Sequence, residues 1–518
     1  MPEAVCDFSQ PSQQAFKSYL EQQGISCFGQ PVPSPLACQT PGCGEFLTAD
    51  GGTVEEFSKW LNNRIANIIL NFAGTIEALY KNSPKIVGFF YGYSTELSFF
   101  QNLSQSGHLG LRKILDSDLI DFICSPCQYR FRRDEGAFTY NMTLGPFADS
   151  GALRGKLVFA EDDHFPVFAR TTNTDCSTRD KWHDEMFFRR NFAQVMASGQ
   201  QMWWYSLGAS WFKEPYRNEI IGGLHRVGLE ALQADRSPVG EVAVVVDERS
   251  VQAMRLNAPF QSRLILESLA GFSPTGAPVE CHELNSFLDY ADHSRYKVVV
   301  FLNLFLTDQA IRAKVDKLKS DNRTLMFFFA PGLLEGDTRN RKFSLETAGR
   351  LVGMNLFEVK DDMPLSIWMD PDRVDLMADE DIRFGWLNPE IPIKPIIGIS
   401  DPDATALGFL HTDIPGFALK RHPGWTSIFS AVPNLPSRVL KSLLKNAGVH
   451  LYTDSEDVIY ANRSIIAYVA CSRGEKKLIM RNAERLEDVI SGEQIKLENG
   501  RCRMFMKRHE TRIFRIKK

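Results

Sequence analysis

From Thr53 to Tyr80, apolar residues recur at spacings of three and four, at Phe57, Leu61, Ile65, Ile68, Ile69, Phe72, Ile76 and Leu79. That period predicts a long amphipathic helix with one buried face. After Ser83-Pro84 the pattern changes to KIVGFFYGY, too short and too aromatic for a helix and bounded by turn residues, which reads as a buried strand. A helix follows over GHLGLRKILDS. The alternation then repeats, with IDFICSP and GKLVFAE as strands, EMFFRRNFAQVMAS as a helix, QMWWYSLG as a fourth strand and a further helix around Asn218 to Leu232. Strands alternating with helices imply right-handed crossovers and a parallel sheet. Four such strands suit either a small doubly wound sheet or half of a (β/α)8 barrel.

From about Val239 the alternation resumes with EVAVVVDE, VECHEL, KVVVFLN and TLMFFFA, a doubly wound domain of flavodoxin type. The end of the chain differs: VIYANRSIIAYVA, KKLIMRN, RLEDVIS and CRMFMKRHETRIFRI alternate apolar and polar positions without intervening helices, which predicts a small antiparallel β-sandwich. The predicted division is 1–236, 237–456 and 457–518. A chain of 518 residues exceeds what one hydrophobic core normally serves, in line with that division.

Composition is that of an ordinary globular protein, with 44% hydrophobic and 24% charged residues. The formal charge of -4 is spread without blocks and gives no reason to expect a nucleic-acid partner, so a neutral or weakly polar ligand fits better. Ten cysteines are too dilute for a disulfide framework. Neither Cys38/Cys43 nor Cys124/Cys127 is followed by a second matching pair, so we expect buried structural thiols at Cys124 and Cys127 and no metal. No stretch reaches the apolar length of a membrane span, and no partner membrane is expected. No glycine-rich phosphate-binding motif follows any strand of the second domain, so no cofactor is expected.

The candidate chemistry lies at the strand ends. Tyr91, Tyr93 and Glu96 follow the first strand, Gln128, Tyr129 and Arg130 the second, Glu161, Asp162 and Asp163 the third, and Trp203, Trp204 and Tyr205 the fourth, with Trp211 beyond. In a (β/α)8 barrel, function gathers at the C-terminal ends of the strands. Carboxylates ringed by Trp and Tyr suit sugar recognition, because pyranose rings offer apolar C–H faces for stacking and hydroxyls for charged hydrogen-bond partners. Before the first strand, Met1 to Asn82 contains no run that reads as a strand. Four parallel strands alone leave two unpaired edges and an uncovered interior, so the other half of the barrel is expected upstream of Met1.

Several stretches, taken in order, resemble the β-galactosidase-like glycoside hydrolases related to family 42. They are DFSQPSQQAFKSYLEQQ, VGFFYGY, IDFICSPCQYRFR, DSGALRGKLVFAEDD and NFAQVMASGQQMWWYSLGASWFKEP, then PVGEVAVVVDERS, YKVVVFLNLF, LMFFFAPG and PSRVLKSLLKNAGVHLYTDSEDVIYANRS. The resemblance spans nearly the whole chain. It implies that the four strands are barrel strands five to eight, that residues 237–456 correspond to a trimerisation domain, and that the protein is a homotrimer acting on a β-galactoside or related oligosaccharide.

The resemblance also implies a retaining mechanism, in which one carboxylate attacks the anomeric carbon while another, about 5 Å away, protonates the leaving oxygen. Glu161, closing GKLVFAE, matches the nucleophile. The acid/base would precede Asp7, where only Glu3 stands, and Glu3 is not assigned that role. His164-Phe165 departs from the Arg-Thr pair expected in relatives. Trp204, Trp211, Tyr129 and Asp163 are candidate substrate contacts by their strand-end placement. The alternative is a non-catalytic carbohydrate-binding or scaffold protein that keeps the family's shape, and a third reading is a flavin- or nucleotide-binding protein. Neither sugar nor compartment is legible.

Overall fold

The four apolar runs of the first part of the chain become strands β1 (Gly88–Phe90), β2 (Phe122–Pro126), β3 (Leu157–Asp162) and β4 (Gln201–Trp204), paired in parallel in that order. The computed structural model describes residues 7–26, 31–33, 44–47, 52–94, 103–127, 146–164, 180–206, 211–256, 258–337, 340–369, 382–387, 392–411 and 413–517. Helices Leu111–Leu115, Pro146–Leu153 and Lys181–Ala197 connect the strands and Pro215–Ala231 follows β4. One face of the sheet, carrying Val87, Tyr91, Ile123, Val158 and Ala160, packs on Ile114, Phe188, Phe192 and Leu224 of these helices. The Gly52–Leu79 helix, expected from its period, lies against the same core through Ala66 and Ala73.

The opposite face is aromatic and open. Phe90 and Trp203 are 43% and 41% exposed on the two edge strands, and between them the rings of Phe122 and Phe159 meet edge to face at 5.2 Å. Four strands laid flat would hold β1 and β4 about 14 Å apart. The rings of Phe90 and Trp203 are nevertheless 5.7 Å apart, so the sheet curls toward this face. Gly88 makes room for the curl, since a Cβ there would lie 2.3 Å from the Phe122 ring.

The second sheet has nine strands. Strands β5 (Val242–Val246), β6 (Val279–Glu283), β7 (Val298–Phe301), β8 (Arg323–Phe328) and Trp425–Ser430 are parallel, in the spatial order β6, β5, β7, β8, Trp425–Ser430. This is the 2-1-3-4-5 order of flavodoxin-like sheets. The runs VAVVV and VVVF are buried throughout, as strands covered on both faces require. Four antiparallel strands that the sequence reading did not anticipate, Pro415–His422, Thr405–Phe409, Ser366–Met369 and Ile382–Gly385, extend the sheet beyond Trp425–Ser430. All four lie between the fourth and fifth parallel strands in sequence. At the switch point between β5 and β7, the Asp247 backbone N–H donates to Asn303 Oδ1 and Asn303 Nδ2 returns a bond to the Asp247 carbonyl, each at 2.8 Å. These bonds occupy the crevice where such sheets hold ligands.

The C-terminal part forms a five-stranded antiparallel sheet (Val458–Ala461, Ile465–Val469, Thr511–Lys517, Arg485–Asp488, Gln494–Lys496) and a pair, Gly474–Ile479 with Arg501–Met506. Ile466, Tyr468, Leu478, Leu486, Met506 and Phe514 fill the space between them.

The three sheet systems are joined by polar contacts. The Leu111 backbone donates to Glu248, the Cys281 backbone to Asp149, and Asn462 to the Met196 carbonyl.

Candidate active site

Glu161 is the fifth residue of β3, next to its C-terminal end, and pairs in register with Pro126 of β2 and Trp203 of β4. Its neighbour Asp162 points to the helix side, where it bonds Asn191 and His164, so alternation along the strand sets Glu161 on the open aromatic face. It is 9% exposed. Cys124 on β2 shares that face, and its thiol is pushed up to about 12 by burial and by the charge of Glu161. A thiol so held is neutral at physiological pH. Cys127 is also buried, and among the described residues no cluster of His, Cys, Asp or Glu is arranged to hold a metal.

Behind β3 lies a buried polar group that the sequence reading did not find. His164 Nδ1 stands 2.8 Å from Asp162 Oδ1 and its Nε2 3.0 Å from Asp184 Oδ1, the latter on the Lys181–Ala197 helix. Each ring nitrogen faces a carboxylate, which favours the doubly protonated ring, and Arg217 Nη2 also approaches Nε2, at 3.2 Å. Burial alone would lower the pKa of His164, but the charges and hydrogen bonds of Asp162 and Asp184 outweigh it and raise the value. Asp184 is also held by the Tyr216 hydroxyl at 2.8 Å and by Arg217 Nε at 3.0 Å, while Asn191 Nδ2 donates to Asp162 Oδ1 at 3.0 Å. The pKa of Asp184 is lowered, because these bonds and charges exceed the opposing effect of its burial. The group ties the end of β3 to two helices and so fixes the backbone on which Glu161 stands.

At the end of β1 the ring of His108 stacks on Tyr91 at 5.0 Å and on Tyr93 at 4.7 Å. Burial lowers its pKa to about 4, and its Nδ1 accepts from the backbone of Gly92 and Tyr93. A neutral ring therefore shapes the loop after β1.

The expected substrate contacts separate. Trp203 shares the face of Glu161, whereas Trp204 pairs with Asp162 and packs into the helix-side core. Asp163 is buried just after β3, and Trp211 is buried beside the Arg217 helix, its carbonyl accepting from Arg217 Nη1. Tyr129, with Gln128, Arg130 and Glu96, lies outside the described residues. The choice between adjacent tryptophans needs the β3–β4 register, which no sequence signal supplies. For His164 the only cue was its place after two aspartates.

Solved structures with this chain path are found at low sequence identity. A β-galactosidase from Halorubrum lacusprofundi superposes with a TM-score of 0.64 at 13% identity, over 99% of this chain and 77% of its own. The cold-adapted β-galactosidase from Rahnella sp. R3 gives 0.62 at 11% identity, over 90% and 69%. A GH42 β-galactosidase catalytic mutant from G. stearothermophilus gives 0.53 at 12%, over 99% and 82%. The chain has the fold of the GH42 β-galactosidases. It is shorter than these three neighbours. No protein-family model matches the sequence, and no match is found among curated proteins.

Proposed function

We propose that the protein is a glycoside hydrolase of β-galactosidase-like type, working by retaining double displacement on a terminal β-glycoside with Glu161 as nucleophile. The observation that carries this reading is the placement of Glu161 at the C-terminal end of a parallel strand, on a concave aromatic face with Trp203 and Phe90 beside it. In a (β/α)8 barrel that is where catalytic carboxylates stand. A carboxylate there attacks the anomeric carbon, and the rings offer apolar platforms to the sugar.

Residues 1–236 are read as barrel strands five to eight, 237–456 as a flavodoxin-like domain of trimerisation type, and 457–518 as a β-sandwich. The curl of the sheet, its two edges and its exposed aromatic face support completion by strands outside the described residues. Those strands would also supply the acid/base. No residue of this sequence is assigned as the acid/base, which is the ground for the second reading, a carbohydrate-binding or scaffold protein with the family fold and without turnover.

Hydrolysis of an aryl β-galactoside with an acidic phenol separates the two, because such a leaving group needs little protonation and the rate reports the nucleophile. Turnover that Glu161→Gln abolishes supports the enzyme. Galactose binding without turnover supports the second reading, and equal turnover by wild type and Glu161→Gln rejects the assignment of Glu161.

A further inference from the structure

A cavity of about 540 Å³ opens at the end of the first sheet opposite Glu161. It lies where the three sheet systems meet, between the start of β4, the Pro146–Leu153 helix, the β6 edge of the second sheet and the Val458–Ala461 strand. A volume of about 300–1,000 Å³ at a domain junction is the usual setting for a small-molecule site. The bland alternative is a solvent-filled seam, since the N-terminal face of a parallel barrel usually serves stability.

The wall chemistry argues for a ligand. Asp149 accepts from the Cys281 backbone through Oδ2 at 2.7 Å, while its other oxygen has no partner among the described residues. Arg236 donates Nη2 to the Gln200 carbonyl at 3.1 Å and meets no carboxylate among the described residues. Ser198 and Gln201 add a hydroxyl and an amide, and Phe272 and Tyr460 stand on the apolar side. Arg236 Nε is buried without a hydrogen-bond partner among the described residues, a cost that a ligand acceptor would remove, and Asp149 lines the same cavity with an oxygen to spare. Burial lowers the pKa of Arg236, and burial together with the charge of Glu280 raises that of Asp149 to about 6, despite the nearby Arg295.

The charges also indicate what kind of molecule fits. Glu280 is gripped by both Nη atoms of Arg295 and by the Tyr296 hydroxyl. Asp149 and Arg236 are of opposite sign, so these four groups leave no net charge for an ion to neutralise. What remains is an acceptor, several donors and an apolar wall, a set that matches hydroxyls above a C–H face. We propose that this cavity binds a neutral polyhydroxylated molecule of mono- to disaccharide size, with Asp149 accepting from ligand hydroxyls and Arg236 donating to them. The site is separate from Glu161 and does not depend on the glycosidase reading.

Isothermal titration of the full chain with galactose, glucose, xylose and lactose tests this, with sodium benzoate as the anionic probe. The variants are Ala152→Phe, Asp149→Asn and Glu161→Gln. Ala152 lines the cavity from an exposed position, so a larger side chain there blocks it without disturbing a core. Asp149→Asn keeps an oxygen for the Cys281 N–H. At least one sugar should bind wild type and Glu161→Gln alike, with affinity about tenfold weaker in Asp149→Asn, the worth of one charge-assisted hydrogen bond, and lost in Ala152→Phe at unchanged Tm. The proposal is overturned if no sugar binds, if Glu161→Gln alone removes binding, or if benzoate is the probe whose binding Ala152→Phe abolishes.

Discussion

Glu161 and Trp203 are in-register partners across β3 and β4 and share the open face of the first sheet. Trp204, one residue on, belongs to the helix-side core. The two tryptophans should therefore fail differently. Trp203→Ala is expected to weaken galactoside binding by roughly 1 kcal/mol, the scale of one aromatic contact, with little change in Tm. Trp204→Ala should cost about 3 kcal/mol of folding stability as a core truncation. Inhibition constants for galactose and urea unfolding of the two variants distinguish the roles, and the reverse pattern would place the sugar platform on the wrong face.

His164 between Asp162 and Asp184 gives stability a pH dependence of definite sign. Its folded pKa lies above the unfolded value of about 6.5, so its contribution is complete below that pH and is lost as pH rises through the folded pKa. Asp184 behaves oppositely. Its folded pKa is lowered, so its contribution is present above about 3.9 and is lost as pH falls through the folded value. His164→Gln removes the donor shared by two buried carboxylates, of which Asp184 keeps Arg217 and Tyr216 and Asp162 keeps Asn191, and should cost about 3 kcal/mol at pH 6. Urea unfolding between pH 6 and 9 should show wild-type stability declining more steeply than the variant's.

Glu248 presents the reverse case. Burial, and then the charge of Glu283, hold its carboxyl well above the ordinary range, and its Oε2 accepts from the Leu111 backbone at 3.1 Å. The folded chain thus keeps a proton that the unfolded chain releases above about 4.3, a penalty that grows by up to about 1.4 kcal/mol per pH unit until the folded pKa is reached. Glu248→Gln keeps the acceptor and removes the penalty, so it should raise Tm at pH 7.5 and change it little at pH 4.5. A variant less stable than wild type at both values would mean that the carboxylate is ionised in place.

The elements of the first sheet were legible because their apolar runs are short, bounded by Gly, Pro and Ser, and separated by residues of helical period, as in GKLVFAE before the Lys181–Ala197 helix. Four of the second sheet's five parallel strands were legible from apolar runs such as VAVVV, and the fifth, Trp425–Ser430, was not read. Less visible were strands whose apolar pattern mixes with charge, as in PGFALKRH, where Lys420 and Arg421 break the apolar run although they pair with Ser427 and Thr426. Glu161 was singled out by its place at a strand end and by the resemblance, and the strand register sets it on the open face. His164 was not, because its meaning comes from Asp184, twenty residues away on a helix whose facing could not be read from spacing.

The most direct test is covalent trapping of the nucleophile. Incubation with 2-deoxy-2-fluoro-β-galactosyl fluoride, whose leaving group needs no general acid, should leave one fluorogalactosyl group on the chain. Peptide mass mapping should place it on Glu161, and Glu161→Gln should remain unlabelled. Labelling at another carboxylate, or equal labelling of the Glu161→Gln chain, would contradict the account.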